Sequence, residues 1–228
     1  MLCRLPLATH PWQAPLRLND HLCPYCRTAI ALNTHPCNHC ALPLPRGQQV
    51  CGRCTSEPLA DLTLAPILHQ HYGAYLVHQL KFHRGEREAL ALASFLLTAV
   101  RQRYPYYNDM PEMLIPVPIA RWTQLRRGYN QSQWLALTLH KQIRVPINAT
   151  LLMRKSGPSQ RSLTRSQRMR LPLNTFALRP NAEHKVLQNS HVAIVDDVLT
   201  TGTTVAVIAK TLRRVGAKRV DVWCATRA

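Results

Sequence analysis

Apolar positions along the chain change their period several times, and each change marks an element. Glu86 to Arg103 carries Leu90, Ala93, Leu97 and Val100, a spacing of three to four that predicts an amphipathic helix. Tyr129 to Lys141 repeats the pattern with Trp134, Leu135, Leu137 and Leu139. Val205 to Val215 repeats it again with Val205, Ile208, Ala209 and Leu212, and Gly216 follows as a C-terminal stop. Between these lie short continuous apolar runs: Met113 to Pro118, His191 to Val195 and Arg219 to Ala225. Such runs predict strands buried on both faces. Tyr72 to Lys81 is short, aromatic and apolar, and reads as a strand with a following turn or helix. From about Ala65 onward strand and helix alternate. The predicted fold is therefore α/β, a mostly parallel sheet flanked by helices.

The first 60 or so residues show no such alternation. A chain of 228 residues has room for one α/β domain and a small extra module. The expected division is a module over 1–62 and a main domain over 63–228. Apolar residues make up 46%, enough for a core. No apolar run approaches the roughly 20 residues that span a bilayer. The longest, Ala89 to Val100, is broken by Ser94 and Thr98. The start, MLCRLPLATHPW, lacks a basic segment followed by an apolar one, so it does not read as a signal peptide. The expectation is a soluble, cytoplasmic protein with no membrane insertion.

Charge changes the picture. The formal net charge is +18, which favours polyanionic partners and says nothing about fold. Its distribution says more: Met113 to Ala182 contains no Asp or Glu, yet runs from Arg121, Arg126 and Arg127 through Arg154, Lys155, Arg161, Arg165 and Arg168 to Arg179. A solvated face normally mixes signs. A phosphate backbone is one partner such a tract would suit. Tyr104, Tyr106, Tyr107, Trp122, Tyr129 and Trp134 are candidates to stack bases, although Trp134 reads as core.

Six of the eight cysteines form CxxC pairs: Cys23 with Cys26, Cys37 with Cys40, and Cys51 with Cys54. CPYC alone would also suit a redox site, but that needs a βαβ context which the flanking Thr, Asn, Pro and further CxxC pairs do not supply. Zinc is the favoured reading. Two CxxC turns supply four thiolates, and Cys37, Cys40, Cys51 and Cys54 have zinc-ribbon spacing. Four thiolates leave no open position, so the role is structural, and so small a module needs a metal to fold. A faint repeat (CRLPL at Cys3, CALPL at Cys40) suggests an incomplete second site of Cys3, Cys23 and Cys26. That site is lost, completed by His10 or His21, or cut off ahead of Met1. Cys224 lies in an apolar strand pattern and reads as a buried structural thiol.

The most informative stretch is Val192 to Thr204, VAIVDDVLTTGTT. It reads as a buried strand, then Asp196 and Asp197, then a Thr/Gly turn into a helix. Ligands of parallel sheets bind at the strands' carboxyl ends. A helix N-terminus with hydroxyls beside it attracts phosphate. Paired carboxylates accept hydrogen bonds from a vicinal diol and can help hold Mg2+. A ribose 5-phosphate fits both halves. The 13 residues resemble the phosphoribosyl pyrophosphate (PRPP) motif of type I phosphoribosyltransferases, which implies PRPP contacts from Asp196, Asp197, Thr200, Thr201, Gly202, Thr203 and Thr204.

Further along the chain, Leu80-Lys81-Phe82, Ile115 to Pro118 (IPVP) and Arg126 to Gln131 (RRGYNQ) resemble, in order, the signature of the ComF family of competence and DNA-utilization proteins. Gln160, Leu163, Arg168, Phe176 and the cysteine array continue the resemblance. The lone Cys3 departs from it, since the family usually begins with a complete CxxC. The resemblance implies a type I phosphoribosyltransferase-like fold with an N-terminal four-cysteine zinc ribbon. It implies a pyrophosphate loop at Pro118, Ile119, Ala120 and Arg121, and a flap from about Arg154 to Arg170. Arg126 and Arg127 read as a basic first turn of a helix, unfavourable unless an anion sits there. Lys81, Arg126, Arg127, Arg154, Lys155, Arg161, Arg165 and Arg168 become candidate DNA or phosphate contacts. The implied partners are single-stranded DNA, PRPP with Mg2+, and a competence helicase. Few residues follow the last strand, so a C-terminal hood that recognises a base is not expected. The function expected is DNA handling with a PRPP pocket; the alternative is an active phosphoribosyltransferase whose acceptor the sequence does not name.

Overall fold

The computed structural model describes residues 22–83, 85–155, 175–180 and 184–228. Two one-turn helices, α1 (Pro24–Thr28) and α2 (Gly52–Ser56), flank the cysteine-rich segment. Two short strands follow, β1 (Leu62–Leu64) and β2 (Ile67–Leu68), then the helices α3 (His71–Phe82) and α4 (Glu86–Arg103). The next elements are β3 (Met113–Pro116), α5 (Arg121–Arg127) and α6 (Gln131–Ile143). A hairpin of β4 (Leu152–Arg154) and β5 (Phe176–Leu178) precedes β6 (His191–Leu199), α7 (Thr203–Arg214) and β7 (Arg219–Arg227).

β6 and β7 form the centre of a parallel sheet. β3 pairs on the outer side of β6, while β1 and β2 both pair with β7. The alternation of side chains along β6 explains why both faces are dry. Ala193 and Val195 face a core with Leu76 and Leu80 of α3, Leu92 and Leu96 of α4, and Leu135 and Leu139 of α6. Val192 and Ile194 face a second core with Ile208 and Leu212 of α7 and with Leu152 and Phe176 of the hairpin. The mostly parallel sheet flanked by helices is the fold class the apolar pattern predicts.

Three elements depart from the sequence reading. Tyr72 to Lys81 is helical throughout, as part of α3. Leu76, Val77 and Leu80 recur at helical spacing and are buried, so the period of 3.6 wins over the aromatic, strand-like composition. β6 does not stop at Val195. Pairing of Asp196 with Cys224, Val198 with Thr226 and Leu199 with Arg227 carries it on to Leu199, so both acids lie within the strand. Arg126 and Arg127 do not begin a helix: they are the last turn of α5, which Gly128 ends at φ 78°. Cations are favourable at that end. Their position therefore gives no evidence of a bound anion.

At the end of the sheet where β6 and β7 begin, one carboxylate organises a buried polar cluster. Asp221 is fully buried, and its Oδ2 accepts from Tyr104 Oη at 2.6 Å and lies 2.6 Å from His191 Nε2. Arg219 Nε donates to Oδ1 at 3.2 Å. Burial pushes this carboxyl up, but the hydrogen bonds from His191 and Tyr104 outweigh it and hold it below the usual range. Removing the acceptor strands three donors. Asp221→Ala is expected to destabilise the fold by about 3–5 kcal/mol, read by urea unfolding at pH 7. Because the folded value is depressed, the wild-type contribution is present above the unfolded carboxyl's range and is lost as pH falls through the folded value.

Candidate functional site

A crevice opens where β3 ends and β6 continues. Val117 N–H still donates to Val195 O at 2.9 Å, but β6 runs on through Leu199 beside β7 alone. After β3 the chain leads through α6 to Ile147, which bridges Leu114 on the outer side of β3. After β6 it leads through α7 to β7 on the opposite side. Strand order thus reverses between β3 and β6, the place where such sheets receive ligands.

Asp196 and Asp197 stand in that crevice. Asp196 Oδ1 accepts from Ser132 Oγ of α6 at 2.8 Å and from Asp197 N–H at 3.0 Å. Asp197 is 4% exposed, and its Oδ2 lies 2.9 Å from Lys81 Nζ of α3. That contact is an ion pair and lacks the alignment of a hydrogen bond. Burial pushes the Asp196 carboxyl up to about 8, and the neighbouring Asp197 charge adds to it, against the opposing hydrogen bond from Ser132. Two carboxylates this close cannot both ionise freely. His69 borders the pair, with Nδ1 3.0 Å from Thr226 Oγ1, whose hydroxyl donates to Asp197 O at 3.2 Å. Burial lowers the His69 pKa, the Lys81 charge lowers it further, and it is neutral at pH 7.

The Thr/Gly turn joins β6 to α7. Thr200 and Thr201 are exposed, and Thr201 Oγ1 lies 2.8 Å from Thr203 Oγ1. Gly202 caps the helix at φ 81°, a conformation that disfavours any side chain. A Cβ there would also fall 2.5 Å from Leu59 Cδ1. The backbone angle favours glycine here, and a larger residue would also have to displace the Leu59 side chain. The first N–H groups of α7 lack partners inside the helix and face the same end as the hydroxyls.

Lys81 also borders a cavity of about 600 Å3, bounded by Lys81 to His83 and by Trp122, Arg126, Arg127 and Tyr129. Trp122 is 76% exposed. Arg127 lies over the Phe82 ring, 5.1 Å from its centre, and Nη1 donates to Gln131 Oε1 at 3.2 Å. Tyr129 Oη donates to Leu80 O. Asn130 fixes the connection by accepting from Ser132 N–H at 3.0 Å and donating to Val117 O at 3.0 Å. Pro118, Ile119 and Ala120 form the loop from β3, and Arg121 begins α5. Arg154 lies over Phe176, and Lys155 N–H donates to Thr175 O at 2.9 Å. Arg161, Arg165 and Arg168 lie outside the described residues, as do Gln160 and Leu163. Of the aromatics named as stacking candidates, Tyr104 is buried on Asp221 and Trp134 packs on the core, whereas Tyr106, Tyr107 and Trp122 are exposed.

Cys37, Cys40, Cys51 and Cys54 converge, all four buried, with their sulfurs within 4.8 Å of one another. Cys40 and Cys51 Sγ are 3.7 Å apart. Thiolates about 2.3 Å from a tetrahedral zinc are about 3.8 Å apart, so the set fits such an ion. Cys51 N–H donates to Cys37 Sγ at 3.3 Å. Burial pushes the Cys51 thiol up, but hydrogen bonds from the Cys54 backbone and the neighbouring thiols outweigh it and bring it down to about 7. Burial drives Cys54 up to about 12. One thiolate forms readily, and Cys40 and Cys54, both raised by burial, need a cation to displace their protons. The cluster is compatible with a zinc ribbon. Cys23 caps α1 and receives Cys26 N–H at 3.4 Å, while Cys3, His10 and His21 fall outside the described residues. Cys224 is buried opposite Asp196. No helix among the described residues is long and apolar enough to cross a membrane.

Comparison with known proteins adds the family. The phosphoribosyl transferase domain model matches residues 135–227, which include the acid pair and the Thr/Gly turn. The chain is 35% identical over 236 residues to DNA utilization protein YhgH of Escherichia coli O157:H7, covering 99% of this chain and 95% of that protein. It is 34% identical over 155 residues to Competence protein F of Haemophilus influenzae, 67% of each. A solved purine phosphoribosyltransferase from Pyrococcus horikoshii, 20% identical, overlays with a TM-score of 0.32 over 57% of this chain and 68% of that one. Identity of this extent along the whole chain means that the protein belongs to the ComF family, together with YhgH and Competence protein F, and carries a phosphoribosyl transferase domain.

Proposed function

We propose that the protein handles single-stranded DNA during DNA uptake or utilization, and that the crevice at Asp196 and Asp197 binds PRPP. The observation that carries the reading is Lys81. It reaches Asp197 at 2.9 Å and also borders the cavity of Trp122, Arg126 and Arg127. One lysine thus joins the acid pair to a surface of exposed aromatic and cationic side chains. In the crevice, Asp196 and Asp197 accept the ribose hydroxyls. Thr200 to Thr204 cradle the 5-phosphate on the α7 N-terminus. Pro118 to Arg121 face the pyrophosphate, with Mg2+ arriving as its companion. In the cavity, Trp122 stacks a base while Arg126 and Arg127 meet phosphates. Arg154 and Lys155, at the foot of the hairpin, extend the basic face. The cysteine centre holds one structural zinc, the protein acts in the cytoplasm, and a competence helicase is its protein partner.

The salt dependence of DNA affinity tests this. A labelled single-stranded oligonucleotide is expected to bind at low salt and to lose on the order of 100-fold in affinity by physiological salt. Arg126→Gln with Arg127→Gln is expected to reduce the slope of log affinity against log salt by about 1 to 2. Affinity independent of salt sinks the DNA reading. The alternative, a catalytic phosphoribosyltransferase, gains support from the same cavity, because an acceptor there would approach the ribose past Lys81. Release of pyrophosphate from PRPP on addition of DNA or a free nucleobase distinguishes it.

A further inference from the structure

Arg227 is a buried cation 7% exposed, and its acceptors are carbonyls. Its Nε donates to Cys40 O at 3.1 Å, so one arm holds a residue of the metal cluster. Its Nη1 donates to Leu199 O at 3.1 Å and Thr200 O at 2.8 Å, so the other holds the start of the Thr/Gly turn. Ala228 O accepts from the same nitrogen. Among the described residues no Asp or Glu side chain pairs with this guanidinium. Its hold on the turn is the pair of hydrogen bonds to Leu199 O and Thr200 O.

A second contact crosses the same gap. Leu59 packs partly on the four cysteines and partly on the core beneath α7. Its Cδ1 is so close to Gly202 that a Cβ there would fall within 2.5 Å of it. The cysteine knuckle is in turn fastened to the sheet. Thr63 Oγ1 of β1 donates to His39 O at 2.7 Å, and His39 Nδ1 lies 2.9 Å from Ala60 O.

We infer that Arg227 is a positioning residue that couples the cysteine centre to the Thr200–Thr204 turn, so that metal occupancy sets how well the turn is formed to receive a phosphate. A metal at the cluster fixes Cys40, and with it the carbonyl that orients Arg227. Oriented, Arg227 holds the carbonyls of Leu199 and Thr200 and so the start of the turn. When the metal leaves, Cys40 O and Leu59 are no longer held, and the turn loses two of its supports. Coupling of this kind is reciprocal. A phosphate ligand on the turn slows release of the metal by the factor by which metal loss weakens that ligand. The inference rests on the proposed PRPP reading for its ligand, and on the Arg227 and Leu59 contacts for its mechanism.

Hydrogen exchange on the full-length, zinc-loaded chain decides it without any ligand. Arg227→Lys keeps the charge and loses the fork, and Leu59→Ala removes the second support. In each variant that retains one zinc, amide exchange over Thr200 to Val205 is expected to quicken at least about fivefold, with the centre of β6 unchanged. Unchanged exchange over the turn in both variants overturns the coupling. In the wild type, saturating PRPP is expected to slow zinc transfer to a colorimetric chelator at least about fivefold, an effect Arg227→Lys loses. Equal slowing in wild type and variant also overturns it. Absence of PRPP binding to the wild-type chain sinks the ribose-phosphate reading instead, and the exchange comparison still decides the coupling.

Discussion

Cys37→Ser is expected to release the metal and unfold the segment from about Asn33 to Leu59. Cys37 is completely buried, its sulfur receives the Cys51 N–H, and it shares the centre with three other buried sulfurs. Serine offers no thiolate, and three ligands cannot close a four-thiolate site. Among the described residues, this centre is packed, apart from its sulfurs, by the partly buried Leu44, Val50 and Leu59, too little apolar surface to order the segment without an ion. Structural zinc sites bind with about 10–16 kcal/mol, which is free energy of folding for the module. Even partial loss corresponds to at least about 5 kcal/mol. Metal content by colorimetric chelation should fall from about one per chain to none, and amides of Cys37 to Cys54 should lose their protection from exchange. Retention of one metal per chain in Cys37→Ser would show that the ion sits elsewhere.

The parallel sheet and its helices were legible because α4, α6 and α7 repeat apolar residues every three to four positions, and the strands between them are short continuous apolar runs buried on both faces. The acid pair was legible as chemistry before it was placed, because two adjacent carboxylates in so basic a chain need a ligand or a partner. What local sequence does not carry is length set by pairing. β6 outruns its apolar stretch because β7 lies beside it, and β1 and β2 are strands only because β7 offers them an edge. The helical turn of α5 was hidden because Arg121 to Arg127 buries no side chain fully. That gap misplaced Arg126 and Arg127 at a helix start. Lys81 was singled out only by family resemblance; its ion pair with Asp197 joins residues 116 positions apart, which no period can reveal. Arg227 carries no local signal, since nothing in its neighbours announces a guanidinium buried among carbonyls.

Asp196→Asn is expected to stabilise the free protein while weakening its affinity for PRPP, and the opposition follows from the raised carboxyl. Burial and the Asp197 charge hold the Asp196 pKa near 8, above the value in the unfolded chain. The folded state keeps a proton that the unfolded state has already lost, so stability falls as pH rises from the ordinary carboxylate range toward about 8. Asparagine keeps an oxygen that can accept from Ser132 Oγ and Asp197 N–H, and it carries no charge to bury. The melting temperature should therefore rise by about 2–4 °C at pH 8, equivalent to about 1 kcal/mol, and should not rise at pH 4, where the wild-type carboxyl is already neutral. PRPP binding moves the other way. A diol donates to carboxylates more strongly than to an amide oxygen, and replacing the charged acceptor should weaken binding on the order of 100-fold. The double variant Asp196→Asn with Asp197→Asn should bind no PRPP measurable by calorimetry and should leave Lys81 without its ionised partner. For the wild type, PRPP affinity should climb between pH 6 and about 8 as the pair gives up its proton, and in Asp196→Asn that climb should vanish. A flat wild-type profile, or a variant that melts lower at pH 8, would mean that both acids are ionised in the free protein and that Lys81 alone offsets their charge.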